Sequence, residues 1–389
     1  MEKIRLGDVA DVITKGTTPT SIGYEFVNKG INFIKVESIN EDGAFIENKF
    51  AYITDECDKK LSRSQLQEND ILFSIAGAIG RVAIVDKNIL PANTNQALAI
   101  IRLHKGVYEY NFLKYILKSP AISKQFEKQK KGVAQINLSL KNIGDFEIPV
   151  ISIEQQKKIS LELDNITALI NKRKKQLEKL DELVKSRFIE LFGDPQRNPH
   201  GYKHTKLSDI ATYYNGLTYK PENVAAEGTI VLRSGNIQNS QLDFADTVRV
   251  DCAIKERLMV QKNDILMCSR NGSAKLVGKV ALIKDIQEPM SFGAFMMIIR
   301  SHYFGYLMTY FQMDAFRQQI KTGATTTINQ ITGRMLDDVT IPLPPMSLVD
   351  QFAAFVKQID KSKFEIKQSL ENLELIVRSV IKETERTPA

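Results

Sequence analysis

Basic and amide side chains gather in the polar loops of this chain, where they could contact nucleic acid. Lysine and arginine bind phosphates and guanine edges, whereas asparagine and glutamine match adenine. Two polar loops, 130–137 and 321–329, each come shortly before a long helical segment that could aim them accurately. The candidate contacts are Lys15, Thr17, Lys35, Arg81, Lys130, Lys131, Gln135 and Asn137 in the first half of the chain and Lys220, Arg233, Asn236, Arg270, Asn271, Lys275, Lys321, Thr325, Thr326 and Asn329 in the second. For each of them taken alone, a solvated surface position is the alternative.

Residues that usually carry catalysis are few and unsuitably spaced. The segment 272–280 resembles a phosphate-binding loop, but it has one residue too many between its glycines and lacks the Ser or Thr that would hold magnesium. His200 and His204 flank Gly201 in a segment that is not helical, without the further ligands that zinc requires. The C-x-x-C, H-E-x-x-H and G-x-S-x-G patterns do not occur, nor does the Asn/Asp-Pro-Pro-aromatic signature of amino-methyltransferases. We predict a binding protein with no catalytic, cofactor or metal site of its own.

Five short motifs occur twice in the same order, which indicates an internal duplication. Residues 69–72, Asn-Asp-Ile-Leu, return unchanged at 263–266. The other matching pairs are 4–10 with 205–211, 80–84 with 278–282, 100–102 with 298–300, and 148–149 with 341–342. The offsets, between about 193 and 201 residues, are far longer than the repeats of a solenoid. One large unit is therefore used twice.

Each unit changes from a strand-like to a helical pattern at its Ile-Pro pair. Before that pair, short β-branched and apolar runs alternate with Gly, Asn, Asp and Pro, which is typical of strands joined by turns. After it, a helical pattern continues for about 40 residues. In the first unit this helix begins with a capping-box spacing at 152–155 and ends at Gly193, ahead of Pro195. We predict an α+β protein with two pseudo-repeated mixed α/β domains, 1–150 and 194–345, and two long helices, 151–193 and 346–389.

Both long helices carry an apolar seam with the spacing of a coiled coil. The seam comprises Ile159, Leu163, Ile166, Ile170, Leu177, Leu180 and Val184 in the first helix and Phe352, Val356, Ile359, Ile366, Leu370, Leu373, Val377 and Val380 in the second. Because the first helix leads into the second globular unit and the second helix leaves it, pairing of the two seams requires an antiparallel arrangement. We expect an antiparallel two-helix coiled coil that separates the two units by roughly 50 Å.

Composition and charge limit the class of protein. The 389 residues carry 53 Lys and Arg against 46 Asp and Glu, a net charge of +7 that permits nucleic acid as a partner without proving it. No apolar run is long enough to span a membrane, and no secretory signal is evident at the N-terminus. The three widely spaced cysteines fit a reducing compartment, so we expect a cytoplasmic protein without membrane partners.

The duplicated motifs give the chain a family resemblance over essentially its whole length. It resembles the specificity subunit of type I restriction-modification enzymes. The segments that carry the resemblance are 15–19 (Lys-Gly-Thr-Thr-Pro), 69–74 with Gly77 and Gly80, 263–266 with Gly272 and Gly278, and 341–345 (Ile-Pro-Leu-Pro-Pro). The chain departs from the family pattern at 148–155, which lacks two prolines, and at Asp350, where the family usually has Glu. In the second unit, Gly216 and Thr218 match the first unit's Gly-Thr-Thr-Pro only in part.

The resemblance implies that each globular unit is a target-recognition domain that reads one half of a bipartite site in double-stranded DNA. It also implies that two methyltransferase subunits flank the paired helices and that restriction subunits join them for cleavage. S-adenosylmethionine, ATP and Mg²⁺ would then belong to those partners and not to this chain. The two units diverge most at 16–60 and 216–255, where we expect base readout. The alternative is a coiled-coil scaffold whose globular ends bind protein without DNA specificity.

Overall fold

The structure, a computed structural model, describes residues 2–127, 137–320 and 329–384. Contacts within the chain divide it into two compact units: residues 1–174 with 367–389, and residues 175–366. Each unit thus contains one globular region together with a part of each long helix. Both units mix helix and sheet, as the duplicated sequence predicts.

The first unit is built around an antiparallel four-stranded sheet in the order β2-β8-β5-β6. Beside it lie a three-stranded sheet, β4-β3-β7, in which β3 and β7 are parallel, and the antiparallel pair β1-β9. The strands are β1 (Lys3–Arg5), β2 (Ala10–Lys15), β3 (Ile31–Ile34), β4 (Ala51–Ile53), β5 (Ile71–Ser74), β6 (Val82–Ile84), β7 (Ala92–Thr94), β8 (Leu98–Leu103) and β9 (Glu147–Pro149).

The second unit repeats this arrangement. Its main sheet has the order β11-β21-β17-β19, and a second sheet, β12-β16-β13-β20, again contains one parallel pair, β13 with β20. The strands are β10 (His204–Lys206), β11 (Thr212–Asn215), β12 (Val224–Ala225), β13 (Thr229–Leu232), β14 (Ile237–Gln238), β15 (Gln241–Leu242), β16 (Val248–Val250), β17 (Ile265–Cys268), β18 (Arg270–Asn271), β19 (Val280–Leu282), β20 (Met290–Phe292), β21 (Met296–Arg300), β22 (Asn329–Gln330) and β23 (Thr340–Pro342).

Helices cover the sheets and extend from them. They are α1 (Asp55–Lys60), α2 (Tyr110–Leu117), α3 (Pro120–Glu127), α4 (Leu140–Gly144), α5 (Ile153–Phe192), α6 (Leu207–Ile210), α7 (Phe304–Tyr310), α8 (Asp314–Gln319), α9 (Gly333–Asp337) and α10 (Met346–Thr384). At the start of α5, Ser152 Oγ accepts a hydrogen bond from Gln155 N at 3.3 Å, as the capping-box spacing predicts. Gly193 ends α5 with φ of 74° and donates its N–H to Ile189 O, which confirms the predicted left-handed cap.

The repeated Asn-Asp-Ile-Leu motif has the same structural role in both units. Asn69 and Asn263 adopt left-handed φ values of 69° and 71° in the turn before the central strand. The following aspartates are buried, and each binds an arginine of the neighbouring strand β8 or β21. The Ile and Leu side chains then point to opposite faces of the sheet, because successive residues of a strand alternate. The strongest sequence repeat therefore marks the centre of each fold.

Alternation along the central strand produces two cores in each unit. In β5, Ile71 packs with α2 on one face, whereas Leu72 packs with β3 on the other. In β17, Ile265 faces the aromatic cluster of α7, whereas Leu266 faces β13. Because both faces are buried, every residue of these strands is buried and three of the four in β5 are apolar, unlike strands that have one solvated face.

In each unit, a part of α5 packs on a part of α10. In the first unit, Leu163 clusters with Ile381 and with Tyr115 of α2. In the second unit, Phe188 and Phe192 each form edge-to-face contacts with Phe352, with ring centroids 5.6 and 5.4 Å apart. All fifteen side chains of the predicted seam are buried or half-buried.

Candidate nucleic-acid interface

In each unit, a strand ends at a glycine that lies against a neighbouring turn. A Cβ atom on Gly16 would lie 1.7 Å from Thr94 O, and one on Gly216 would lie 2.2 Å from Gly293 O, so that only glycine fits either position. The neighbouring turn is formed by residues 96–97 in the first unit and 294–295 in the second. This close approach places the segments that begin at Gly16 and Gly216 directly beside a surface turn.

The second unit has an open cleft at this place. It has a volume of about 530 Å³ and is formed by segments that are far apart in the sequence. Its lining consists of Leu217, Thr218, Tyr219, Arg233, Ser234, Gly235, Asp246, Gly293, Ala294, Phe295 and Met296. Polar and aromatic groups thus share a concave surface, a combination suited to binding a ligand with both π-faces and charges.

Three of the predicted contact residues surround this cleft. Arg233 lines it and forms an ion pair with Asp246 at 2.8 Å. The Arg270 guanidinium lies over the ring of Phe295, 5.4 Å from its centroid. Asn271 Nδ2 donates to Oγ of the lining residue Ser234 at 3.3 Å. The fold therefore gathers side chains that the sequence separates by up to 38 positions.

Lys35 of the first unit occupies the place of Arg233. Lys35 N donates to Ser38 Oγ at 3.2 Å, and Arg233 N donates to Asn236 Oδ1 at 2.8 Å, so each residue begins the same type of turn. The Lys35 ammonium lies 5.0 Å from the ring centroid of Phe26 and 3.5 Å from a carboxylate oxygen of Glu37. Lys35 and Arg233 thus each pair with a carboxylate, and Lys35 also lies beside an aromatic ring.

The structure corrects the prediction for Asn236. This residue is only 1% exposed, and its Nδ2 donates to the carbonyls of Asp243 and Asp246. It anchors its own loop and is not accessible to a base. Arg81 is half-buried, and its Nη1 donates to Val36 O and Ile39 O at 3.1 and 2.7 Å. Its first role is also to hold a loop in place.

The other candidates are distributed less closely. Asn137, Lys220 and Lys275 are exposed, whereas Lys15 and Thr17 are half-buried. The backbone of Asn329 pairs with Asn271 in the β18-β22 ladder, which brings the end of the 321–329 loop to the rim of the cleft. Six candidates, together with the side chain of Asn329, lie outside the described residues: Lys130, Lys131, Gln135, Lys321, Thr325 and Thr326.

Sequence reasoning missed Phe295, which is the largest exposed group of the cleft. Its side chain is 59% exposed although apolar. A signal was present in the repeat, because the first unit has Ala97 where the second has Phe295. That correspondence becomes visible only when the two turns are aligned by their hydrogen bonds, since the motifs on either side differ.

The buried aspartates beside the two main sheets form ion pairs with arginines of the same sheets. Asp70 accepts from Arg102 Nε and Nη2, both at 2.7 Å, and Asp264 accepts from Arg300 Nε and Nη2 at 2.7 and 2.8 Å. The hydrogen bonds to Asp264 raise the pKa of the Arg300 guanidinium above its usual value. These bidentate pairs are structural, so Arg102 and Arg300 are not available to a ligand.

Neither a metal centre nor a membrane span emerges from the parts of the chain that the structure covers. No group of three or more His, Cys, Asp or Glu side chains could hold a metal ion within residues 2–127, 137–320 and 329–384. Over the same ranges, no helix is both long and apolar enough to cross a bilayer.

Solved structures with the same arrangement show that the fold is known. One, from a study of "complex assembly and conformational transition of the type I R-M system", covers 98% of this chain and 97% of its own, with 16% identity and a TM-score of 0.61. Another, the type I restriction-modification system S subunit from M. genitalium, covers 100% of this chain and 96% of its own, with 17% identity and a TM-score of 0.55. At these identities the likeness concerns the fold alone.

Sequence relatives include specificity subunits of type I restriction enzymes. The EcoBI specificity subunit of Escherichia coli is 33% identical over 175 residues, which is 43% of this chain and 35% of that protein. The first three relatives are matched over only 35–39% of their own length. The MjaIX specificity subunit of Methanocaldococcus jannaschii is 24% identical over 92% of this chain and 86% of its own.

A family model described as the type I restriction modification DNA specificity domain matches the chain twice, at residues 1–179 and 199–375. The two matches correspond to the two halves of the internal duplication and together cover most of the 389 residues. The chain therefore belongs to the type I restriction-modification DNA specificity family and carries the family's domain in two copies.

Proposed function

We propose that this chain is the non-catalytic DNA sequence-recognition and scaffold subunit of a type I restriction-modification complex, with each unit reading one half of a bipartite target. The observation that carries the proposal is the contrast within the duplication. Residues shared by the units, such as Asp70 with Arg102 and Asp264 with Arg300, lie inside the fold. At the cleft the units differ, since Ala97 of the first unit stands where the second has Phe295, and Lys35 stands where the second has Arg233.

Such a division suits two different half-sites. A buried frame holds the loops at the same place in both units, and changes in the loops alter the bases that are read. Within the second unit, Arg233, Arg270 and Asn271 around the cleft supply donors for phosphates and base edges. Residues 1–150 and 194–345 would be the two recognition domains.

The long helices would form the antiparallel coiled coil that sets the spacer between the half-sites and docks two methyltransferase subunits. The burial of the seam side chains supports the pairing. In the first unit, Leu161, Leu169 and Leu375 remain 64%, 48% and 59% exposed on the helices, and such apolar positions on a surface suit a protein partner. S-adenosylmethionine, ATP and Mg²⁺ would be bound by the methyltransferase and restriction subunits of a cytoplasmic complex.

The alternative is a scaffold that binds proteins without DNA specificity, and the same exposed leucines favour it. Binding of the full chain to duplex DNA over a series of salt concentrations distinguishes the two functions. Contacts to phosphates release counterions, so DNA recognition predicts a steep loss of affinity as salt rises. Reconstitution with the methyltransferase partner should give sequence-specific methylation only when this chain is added. Partner activity that keeps its target without the chain would refute the proposal.

A further inference from the structure

The second unit carries an exposed aromatic–cation pair at the rim of its cleft. Phe295 occupies the two-residue turn between β20 and β21 and is 59% exposed. The Arg270 guanidinium lies over its ring, 5.4 Å from the centroid, and Arg270 forms no ion pair within the part of the chain that the structure describes. Phe364 on α10 is equally exposed, so what distinguishes Phe295 is the cleft that it lines and the guanidinium beside its ring.

Hydrogen bonds identify the corresponding residues of the first unit. Ser269 N donates to Phe295 O at 3.0 Å, and Ile75 N donates to Ala97 O at 2.9 Å. Ile331 N donates to Ser269 O, just as Leu138 N donates to Ile75 O. Ala97 therefore stands where Phe295 stands.

The same alignment gives Arg270 its counterpart. Arg270 follows Ser269 in the chain, and Ala76 follows Ile75, so Ala76 occupies the position of Arg270. The second unit therefore has the pair Phe295 and Arg270, and the first unit has two alanines at the same backbone positions.

We propose that Phe295 stacks on a DNA base in the half-site read by the second unit, while Arg270 holds the adjacent phosphate. The inference rests on the proposed DNA-recognition function and names a contact within it. Bases in a duplex already stack on each other, so the ring would insert at a base step, which is a known means of gripping DNA, and stack on the base face that this insertion exposes. The guanidinium already packed on the ring would be placed beside the backbone of the same nucleotide. The turn fixes both groups, because Phe295 O accepts from Ser269 N and Arg270 N.

Affinity for the duplex target, as identified by methylation, tests the contribution of the ring. Phe295→Ala in the full chain should weaken binding by about fivefold or more, the lower end of what base–aromatic stacking contributes, because opening the base step offsets part of the gain. Phe295→Trp should retain the affinity of the natural chain. Phe364→Ala is the matched control, because Phe364 is 60% exposed but lies on α10; with DNA affinity measured on the chain alone, without the methyltransferase, its removal should leave that affinity unchanged.

Fluorescence tests the stacking itself. The natural chain contains no tryptophan, so Phe295→Trp introduces a single reporter. Adding target duplex should quench its emission, whereas Phe364→Trp should give no quenching. Scrambling the half-site read by the second unit should abolish the quenching at position 295, and scrambling the other half-site should not.

The outcomes separate this inference from the proposed function. If the natural chain binds no duplex, alone or with its methyltransferase partner, the proposed function fails. If the natural chain binds and Phe295→Ala stays within twofold of it, the inference is overturned. It is also overturned if Phe295→Ala weakens binding but the tryptophan at position 295 is not quenched, because the ring then only supports the turn.

Discussion

Replacing Asp264 by asparagine should destabilise the second unit strongly while leaving the first intact. Asp264 is about 1% exposed and accepts three hydrogen bonds: two from the Arg300 guanidinium and one from Gln261 N at 2.7 Å. Asparagine has nearly the same size, but its amide NH₂ would face a guanidinium N–H where a carboxylate oxygen stood. The substitution removes the charge and leaves Arg300 without its anionic partner.

The magnitude follows from burial. Removing one partner of a buried ion pair costs about 3–5 kcal/mol, because the remaining charge stays desolvated. Arg300 is 25% exposed and also donates to Met259 O at 3.2 Å, so part of its charge can reach water. We therefore expect a loss at the lower end, about 3 kcal/mol in the free energy of unfolding of the second unit.

Hydrogen–deuterium exchange of the full chain is the appropriate assay, because it resolves each unit separately. Amides of β17 and β21 that exchange through unfolding of the unit should exchange about 100-fold faster in Asp264→Asn. Amides of β5 and β8 should keep their natural rate. Asp70→Asn should give the reverse pattern, because Asp70 is fully buried and holds Arg102 in the same way.

An exposed ion pair provides the control. Lys3 and Glu147 lie 3.4 Å apart with more than half of each side chain exposed, so Glu147→Gln should cost less than about 1 kcal/mol. A dominant role for the buried ion pair is refuted if Asp264→Asn changes exchange no more than Glu147→Gln does. It is equally refuted if a substitution in one unit loosens both units to the same extent.

Three further outcomes are expected. Gly16→Ala should distort the first unit and abolish recognition of one half-site, because the added Cβ would lie 1.7 Å from Thr94 O. Gly272→Ala should be tolerated, because its Cβ would have no atom within 4 Å. Methylation of half-site variants measures both effects. Burial raises the pKa of Tyr108 to about 12. The stability that this buried phenol contributes is therefore complete below about pH 10 and is lost as the pH rises towards 12. Urea unfolding at increasing pH should show that loss of stability, and the loss should be smaller in Tyr108→Phe. Removing one heptad from both α5 and α10 should shorten the target's spacer by about three base pairs, because seven helical residues span about 10.5 Å. An unchanged spacer in the methylated motif would contradict this role of the helices.

The sequence predicted those features that depend on local chemistry. Duplicated motifs located the two units, and the Asn-Asp-Ile-Leu repeat marked the central strand of each. The glycine cap at Gly193 was predictable because a left-handed residue followed by proline ends a helix. The helical seams were predictable because their apolar spacing extends over many turns.

Features that depend on distant segments were not predictable. The cleft of the second unit combines residues 217–219, 233–235, 246 and 293–296, and nothing in the short strands between them specifies which strands become neighbours. Asn236 has the residue type of an adenine reader, but its side chain is buried because it donates to carbonyls seven and ten positions further along the chain. Phe295 was overlooked because a lone aromatic residue beside apolar strands is typical of a core.

Methylome sequencing tests the central claim most directly. Cells that express the methyltransferase partner with and without this chain should differ in one bipartite, asymmetric motif, which is methylated only when the chain is present. Substitutions around the cleft, such as Phe295→Ala, should change methylation through one half of that motif and leave the requirement for the other half intact. Methylation that persists without the chain, or a motif without two separate halves, would contradict the account.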